Sequence, residues 1–77
     1  MTIKIYSTPT CPYCVKAKNY FEAKNLDYEE IDVSRDQKAA EEMIKISGQM
    51  GVPVIQIAQK IVIGFDEEKI ESLLNPA

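Results

Sequence analysis

The chain contains no histidine and only two cysteines among its 77 residues. A zinc site usually draws on four histidine, cysteine or carboxylate ligands. A zinc or iron–sulfur centre here would therefore need two chains, or an outside ligand such as glutathione. The chain also has no basic run and carries a net charge of −3, which argues against nucleic acid as a partner. No apolar stretch approaches the ~20 residues that span a bilayer, and no repeat, linker or low-complexity segment interrupts the sequence. No signal or transit segment is read ahead of the first strand, so a cytoplasmic location is expected. Composition is that of a globular protein, 45% hydrophobic and 27% charged, rather than a disordered one. Residues 1–77 are read as one small domain. A domain of this size buries only about 60% of its unfolded surface, so the active site must lie at the surface and a large partner must bring much of the recognition.

Both cysteines fall in one stretch, Cys11-Pro12-Tyr13-Cys14. It follows an alternating apolar run, Ile3 to Tyr6, that predicts a strand, and a Ser7-to-Thr10 loop. It opens a helical pattern from Pro12 to about Lys24, with Val15, Ala17, Tyr20, Phe21 and Ala23 on the buried side. Pro12 suits the first helical position. A cysteine at a helix N-terminus meets unpaired N–H groups and the positive end of the helix dipole, and both favour thiolate over thiol. Cys14, three residues on, shares its helical face. In a reducing compartment such a pair is more often catalytic or metal-binding than a structural staple, and a disulfide closing so short a loop would constrain the unfolded chain little. A redox dithiol is the reading that a C-x-x-C beside a βαβ pattern favours. Cys11 is then the nucleophile and Cys14 the resolving thiol. Lys16 and Lys18 are candidates for further thiolate support, and Tyr13 for substrate contact.

Further along, Tyr28 to Val33 reads as a second strand with Ile31 and Val33 inward. Ser34 with Gln37 forms a capping-box signature for a helix carrying Ala39, Ala40, Met43, Ile44 and Ile46 and stopping at Ser47-Gly48. Val52 to Ile57 reads as the third strand, Ala58 to Lys60 as a turn, and Ile61 to Ile63 as the fourth. Asp66 is an N-cap for a last helix carrying Ile70, Leu73 and Leu74 and ending at Asn75-Pro76. The order β-α-β-α-β-β-α predicts an α/β fold of thioredoxin type, a four-stranded mixed sheet sandwiched by three helices. Pro53 at the head of a strand lacks a donor N–H. It is either an ordinary trans proline or a cis Val52-Pro53 bond that turns the Val52 backbone towards an extended substrate.

These residues carry a resemblance. Tyr6, Cys11-Pro12-Tyr13-Cys14, Val52-Pro53, and Gly64 with Asp66 make the chain resemble glutaredoxins over nearly its whole length. The resemblance implies a thioredoxin fold, a cis Pro53 and a monomeric thiol–disulfide oxidoreductase acting on protein or glutathione mixed disulfides. It implies no bound cofactor, with glutathione as a co-substrate in a groove formed by Tyr13, the Val52 backbone and Gly64-Phe65-Asp66. A dimer holding an iron–sulfur cluster through Cys11 of two chains is the alternative the family offers. Three stretches depart from the usual pattern: Thr8 stands for a lysine, Met50-Gly51 for an Arg-Thr pair, and Ile63-Gly64 for Gly-Gly. The segments Val52 to Ile55 and Gly64 to Ile70 look more like the redoxins that serve ribonucleotide reductase (NrdH-type), which are recharged by a thioredoxin-reductase-type flavoprotein. The Pro-Tyr of the cysteine motif is the glutaredoxin feature. Disulfide-bearing proteins are the expected targets, with glutathione or the flavoprotein as reductant.

Overall fold

The computed structural model describes residues 2–74. Its elements run β1 (Ile3–Ser7), α1 (Pro12–Ala23), β2 (Glu29–Asp32), α2 (Gln37–Ser47), β3 (Val54–Ile57), β4 (Lys60–Ile63) and α3 (Glu67–Leu74). The strands lie side by side as β2-β1-β3-β4. β1 runs parallel to β2 and antiparallel to β3, which in turn is antiparallel to β4. The sheet is mixed and the element order is the one the sequence predicts.

Alternation along the strands assigns side chains to two layers. Ile3, Ile5, Ile55, Ile57 and Val62 pack with Ala17 and Phe21 of α1 and Ile70 of α3. Tyr6 and Val54 face the other way and pack with Met43 of α2, joined by the half-buried Ile31, Val33 and Val52. Helices therefore cover both faces. Leu73 and Leu74 flank the first layer as predicted. The expected stop at Asn75-Pro76 lies outside the described residues.

Several boundaries differ from the sequence reading, each for a local reason. On α1 the buried stripe is Cys14, Ala17 and Phe21. Val15 lies about 100° round the helix from Cys14 and Ala23 about 180°, so both are exposed. The end of α1 is a Schellman motif built without glycine. Asn25 takes a left-handed φ of 57°, its N–H reaches the Glu22 carbonyl at 3.0 Å, and the Leu26 N–H reaches that of Phe21 at 3.0 Å. Asparagine tolerates this conformation better than other side chains, and Leu26 folds back onto the core beside Phe21.

The Ser34–Gln37 capping box does not form. Asp36 caps α2, its carboxylate accepting the Ala39 N–H at 3.1 Å, while the Ser34 hydroxyl and N–H both turn to Asp32. Two short polar side chains compete for one cap, and the stronger acceptor takes it. Asp36→Ala is accordingly expected to lower stability by about 1 kcal/mol in urea denaturation. Ser34→Ala should stay within about 0.5 kcal/mol of wild type; equal losses would restore the capping box. Gly48 ends α2 at φ 76°, as predicted, but Ile44 sits exposed beside the apolar stripe. β3 begins at Val54 rather than Val52, since Pro53 has no N–H to offer the ladder. β4 begins one residue early, because Ile57 pairs with Lys60 across a two-residue turn opened by Ala58 at φ 55°. β2 is one residue shorter than read at each end.

Candidate active site

The loop after β1 delivers Cys11 to the head of α1. Its backbone is extended, at φ −93° and ψ 110°, so Cys11 is the N-cap residue and Pro12 occupies the first helical turn. The cap is the thiol itself: Cys11 Sγ accepts the backbone N–H of Cys14 at 3.2 Å. The first turn of the helix thus aims a backbone donor at that sulfur. The loop is closed behind it by the Cys11 N–H, which reaches the Thr8 carbonyl at 3.3 Å. Cys11 is half-buried and Cys14 is sealed, at 1% exposure, and both are free thiols. Burial pushes the Cys14 thiol up to about 12; the hydrogen bond with Cys11 adds to this, while the Thr8 backbone and Lys18 pull against it. One helix turn thus presents one sulfur to a partner and withholds the other.

The two candidate lysines are otherwise engaged. Lys16 lies 5.0 Å over the ring of Tyr13, a cation–π contact. Lys18 donates to Glu30 Oε2 at 2.8 Å. Its hydrogen bond to Glu30 raises the Lys18 pKa, and the same bond lowers that of Glu30. Tyr13 itself is 58% exposed next to the cysteines.

Strand register brings the remaining candidates to the same edge of the sheet. Tyr6 pairs with Val54, and Val54 with Ile63. Val52-Pro53 therefore lies level with the loop that follows β1, and Gly64-Phe65-Asp66 lies beside Pro53. The Val52-Pro53 peptide is cis. The Pro53 carbonyl accepts the Gly64 N–H at 2.8 Å. Among the described residues, the Val52 N–H and C=O have no hydrogen-bond partner. Gly64 has φ +79° with open space where a Cβ would stand, so backbone conformation, and not crowding, calls for glycine there. Phe65 packs edge-on against Tyr20 of α1, ring centroids 5.7 Å apart. Asp66 caps α3 as predicted, its carboxylate accepting the Lys69 N–H at 3.2 Å.

One group of residues at the site was missed. Ser7, 1% exposed at the end of β1, donates its hydroxyl to Glu30 Oε2 at 3.0 Å, the oxygen that also receives Lys18. The sequence carries one hint of this. Glu30 alternates with the inward Ile31, which puts it on the α1 side of β2. No third ligand joins the two thiols: among the described residues no group of three or more histidine, cysteine or acidic side chains converges. No helix among them is long and apolar enough to cross a membrane.

An outward thiol on a helix cap, a sealed partner one turn on, and this strand order together define a redox protein of thioredoxin fold. A model of the glutaredoxin family matches residues 3–62. An 8.6 kDa glutaredoxin-like protein in a rubredoxin operon of Clostridium pasteurianum is 50% identical over 72 residues, covering 94% of this chain and 96% of that one. Glutaredoxin 3 of Escherichia coli is 37% identical over 65 residues, 84% of this chain and 78% of that protein. Among solved structures, the glutaredoxin-like NrdH-redoxin of Escherichia coli superposes with a TM-score of 0.86 at 32% identity, covering 100% of this chain and 99% of the other. The chain belongs to the glutaredoxin family. Its particular character is that of a glutaredoxin-like redox protein with a Cys11–Cys14 pair.

Proposed function

We propose that the chain is a dithiol–disulfide reductase for protein disulfides, recharged by a flavoprotein of the thioredoxin-reductase type. Cys11 attacks the target disulfide, Cys14 resolves the mixed disulfide, and the resulting Cys11–Cys14 disulfide is returned to dithiol by the flavoprotein. Pro12 sets the helix start and Tyr13 offers an exposed contact surface. The unpaired Val52 backbone aligns an extended segment of the partner by strand-like hydrogen bonds, with Pro53 locking that backbone beside the loop. Gly64, Phe65 and Asp66 complete the groove at the head of α3. The observation that carries this reading is the asymmetry of the pair, Cys11 capping α1 at the surface and Cys14 sealed beneath it.

Glutathione enters the same groove as a weaker co-substrate. Charge-assisted hydrogen bonds to its carboxylates contribute about 1.5–3 kcal/mol each, and the family's basic positions here hold Thr8 and Met50. Of the two lysines that follow the pair on α1, Lys18 is paired with Glu30 and Lys16 lies over the Tyr13 ring. Support also comes from the likeness to NrdH-redoxin, a protein described as having a thioredoxin-like activity profile.

The test follows NADPH oxidation with a disulfide substrate and two reducing systems in parallel. Turnover is expected with thioredoxin reductase alone, and at least about tenfold less with glutathione and glutathione reductase, the loss that one missing charge-assisted contact implies. Turnover confined to the glutathione system would overturn the flavoprotein assignment and make Thr8 and Met50 irrelevant to reductant choice.

A further inference from the structure

The peptide group that would meet a partner strand is braced by one side chain. Gln49 lies two residues before Gly51, in the loop that carries α2 to β3. Its amide grips Gly51 from both ends: Oε1 accepts the Gly51 N–H at 2.7 Å, and Nε2 donates to the Gly51 carbonyl at 3.0 Å. A single orientation of the amide makes both bonds. The Gly51 carbonyl belongs to the same peptide group as the Val52 N–H. That peptide is trans, so its C=O and N–H point in opposite directions. A carbonyl held by Gln49 therefore aims the Val52 N–H away from the Gln49 amide, and that N–H has no partner among the described residues. Gln49 is anchored in turn. Its N–H reaches the Ser47 hydroxyl at 3.4 Å, and that hydroxyl donates to the carbonyl of Met43, a buried residue of α2, at 2.6 Å. Glycine at position 51 is part of the arrangement. A Cβ there would stand 2.7 Å from Gln49 Oε1. Gly51 does not have a positive φ, so the grip of Gln49, and not the backbone conformation, calls for glycine.

We propose that Gln49 is a positioning residue for partner recognition: its amide, anchored to α2 through Ser47, holds the Gly51–Val52 peptide so that the Val52 N–H is presented to an extended segment of the partner. The inference rests on the strand-like alignment at Val52 set out above. It also separates two classes of substrate. The benefit goes to a disulfide carried on an extended peptide, whose backbone can accept the Val52 N–H, and not to a small disulfide that has no backbone. A peptide group braced beforehand costs less to order when the partner binds.

Two disulfides with the same coloured leaving group test this in stopped flow. One joins thionitrobenzoate to the cysteine of a short, extended valine-rich peptide, the other to mercaptoethanol. The Cys11 thiolate of the reduced protein bonds to the peptide or mercaptoethanol sulfur, the sulfur–sulfur bond to thionitrobenzoate breaks, and the coloured thiolate leaves. Gln49→Met is expected to slow the peptide reaction about fivefold, the worth of one such hydrogen bond, and to leave the mercaptoethanol reaction unchanged. Gly51→Ala displaces the Gln49 amide and should do the same. Both substitutions remove one brace, so the double variant should be no slower than either single one. Equal slowing of both disulfides in Gln49→Met would overturn the proposal, as would no slowing of the peptide. So would a double variant slowed about 25-fold, the product of two independent effects. Wild-type protein that attacks the peptide no faster than the mercaptoethanol disulfide would overturn the alignment at Val52 itself, and release surviving in Cys11→Ser would overturn the dithiol mechanism.

Discussion

Cys11→Ser is expected to abolish disulfide reduction, leaving only the background exchange between reductant and substrate. An alcohol remains protonated in the range where a thiol yields thiolate, and it does not form the sulfur–sulfur bond on which the cycle turns. The substitution is conservative in every other respect. Serine is a favoured N-cap residue, so its oxygen can accept the Cys14 N–H in place of Sγ, and the melting temperature should hardly move. That makes the experiment clean, because chemistry is removed and the fold retained. Cys14→Ser should behave differently. It keeps the first attack but accumulates a stable mixed disulfide on Cys11, visible by mass spectrometry and released by dithiothreitol. Disulfide reduction persisting in Cys11→Ser, by the NADPH assay with either reducing system, would overturn Cys11 as the nucleophile.

Phe21→Ala carries the largest expected effect on stability. Phe21 is fully buried at 0% exposure, on the α1 stripe that faces Ile5, Ile55 and Val62. It also packs edge-on against Tyr20, centroids 5.6 Å apart, and at a tilt against Tyr28 at 6.1 Å, so its ring ties the helix to the chain entering β2. Truncating a buried phenylalanine costs about 3–5 kcal/mol, the lost transfer energy plus the cavity left behind. A domain of this length is stable by roughly 4–12 kcal/mol in all. The loss therefore takes a large share, and the midpoint of thermal unfolding should fall by at least about 12 °C. Circular dichroism melting measures it directly. Val15→Ala, next to Cys14 but on the exposed side of α1, should shift the midpoint by no more than a few degrees. Similar shifts for the two would mean that the buried stripe of α1 has been assigned to the wrong face.

The parts of the molecule that were legible in the sequence are those where neighbouring residues decide the structure. The strand of Ile3 to Tyr6, the helix opened by Pro12, the Gly48 stop and the Asp66 cap are each set by a few side chains acting on their own backbone. The errors arose where two local solutions had similar energy. Ser34 and Asp36 both suit an N-cap, and Asp36 took it because Asp32 captured Ser34. Val15 and Ala23 were assigned to the core because apolar residues lie on more than one side of α1, and only packing against the sheet shows which side is covered. Glu30 has no local signal of its role. Its partners Ser7 and Lys18 lie 23 and 12 residues away in sequence, and no local pattern connects them.

The sequence by itself determined the reactive pair: two thiols three residues apart at the head of a helix, the two cysteines of a chain without histidine. It determined the order of elements as well, since hydrophobic period and turn residues act over a few positions. The tertiary structure decided which thiol faces outward, because burial depends on what packs over α1 and not on the motif. It also decided that Val52-Pro53 and Gly64-Phe65-Asp66 meet at one sheet edge, through the pairing of Tyr6 with Val54 and Val54 with Ile63. Pairing between distant strands is selected by burying both faces of the whole sheet at once, and that condition is satisfied only when the chain has folded.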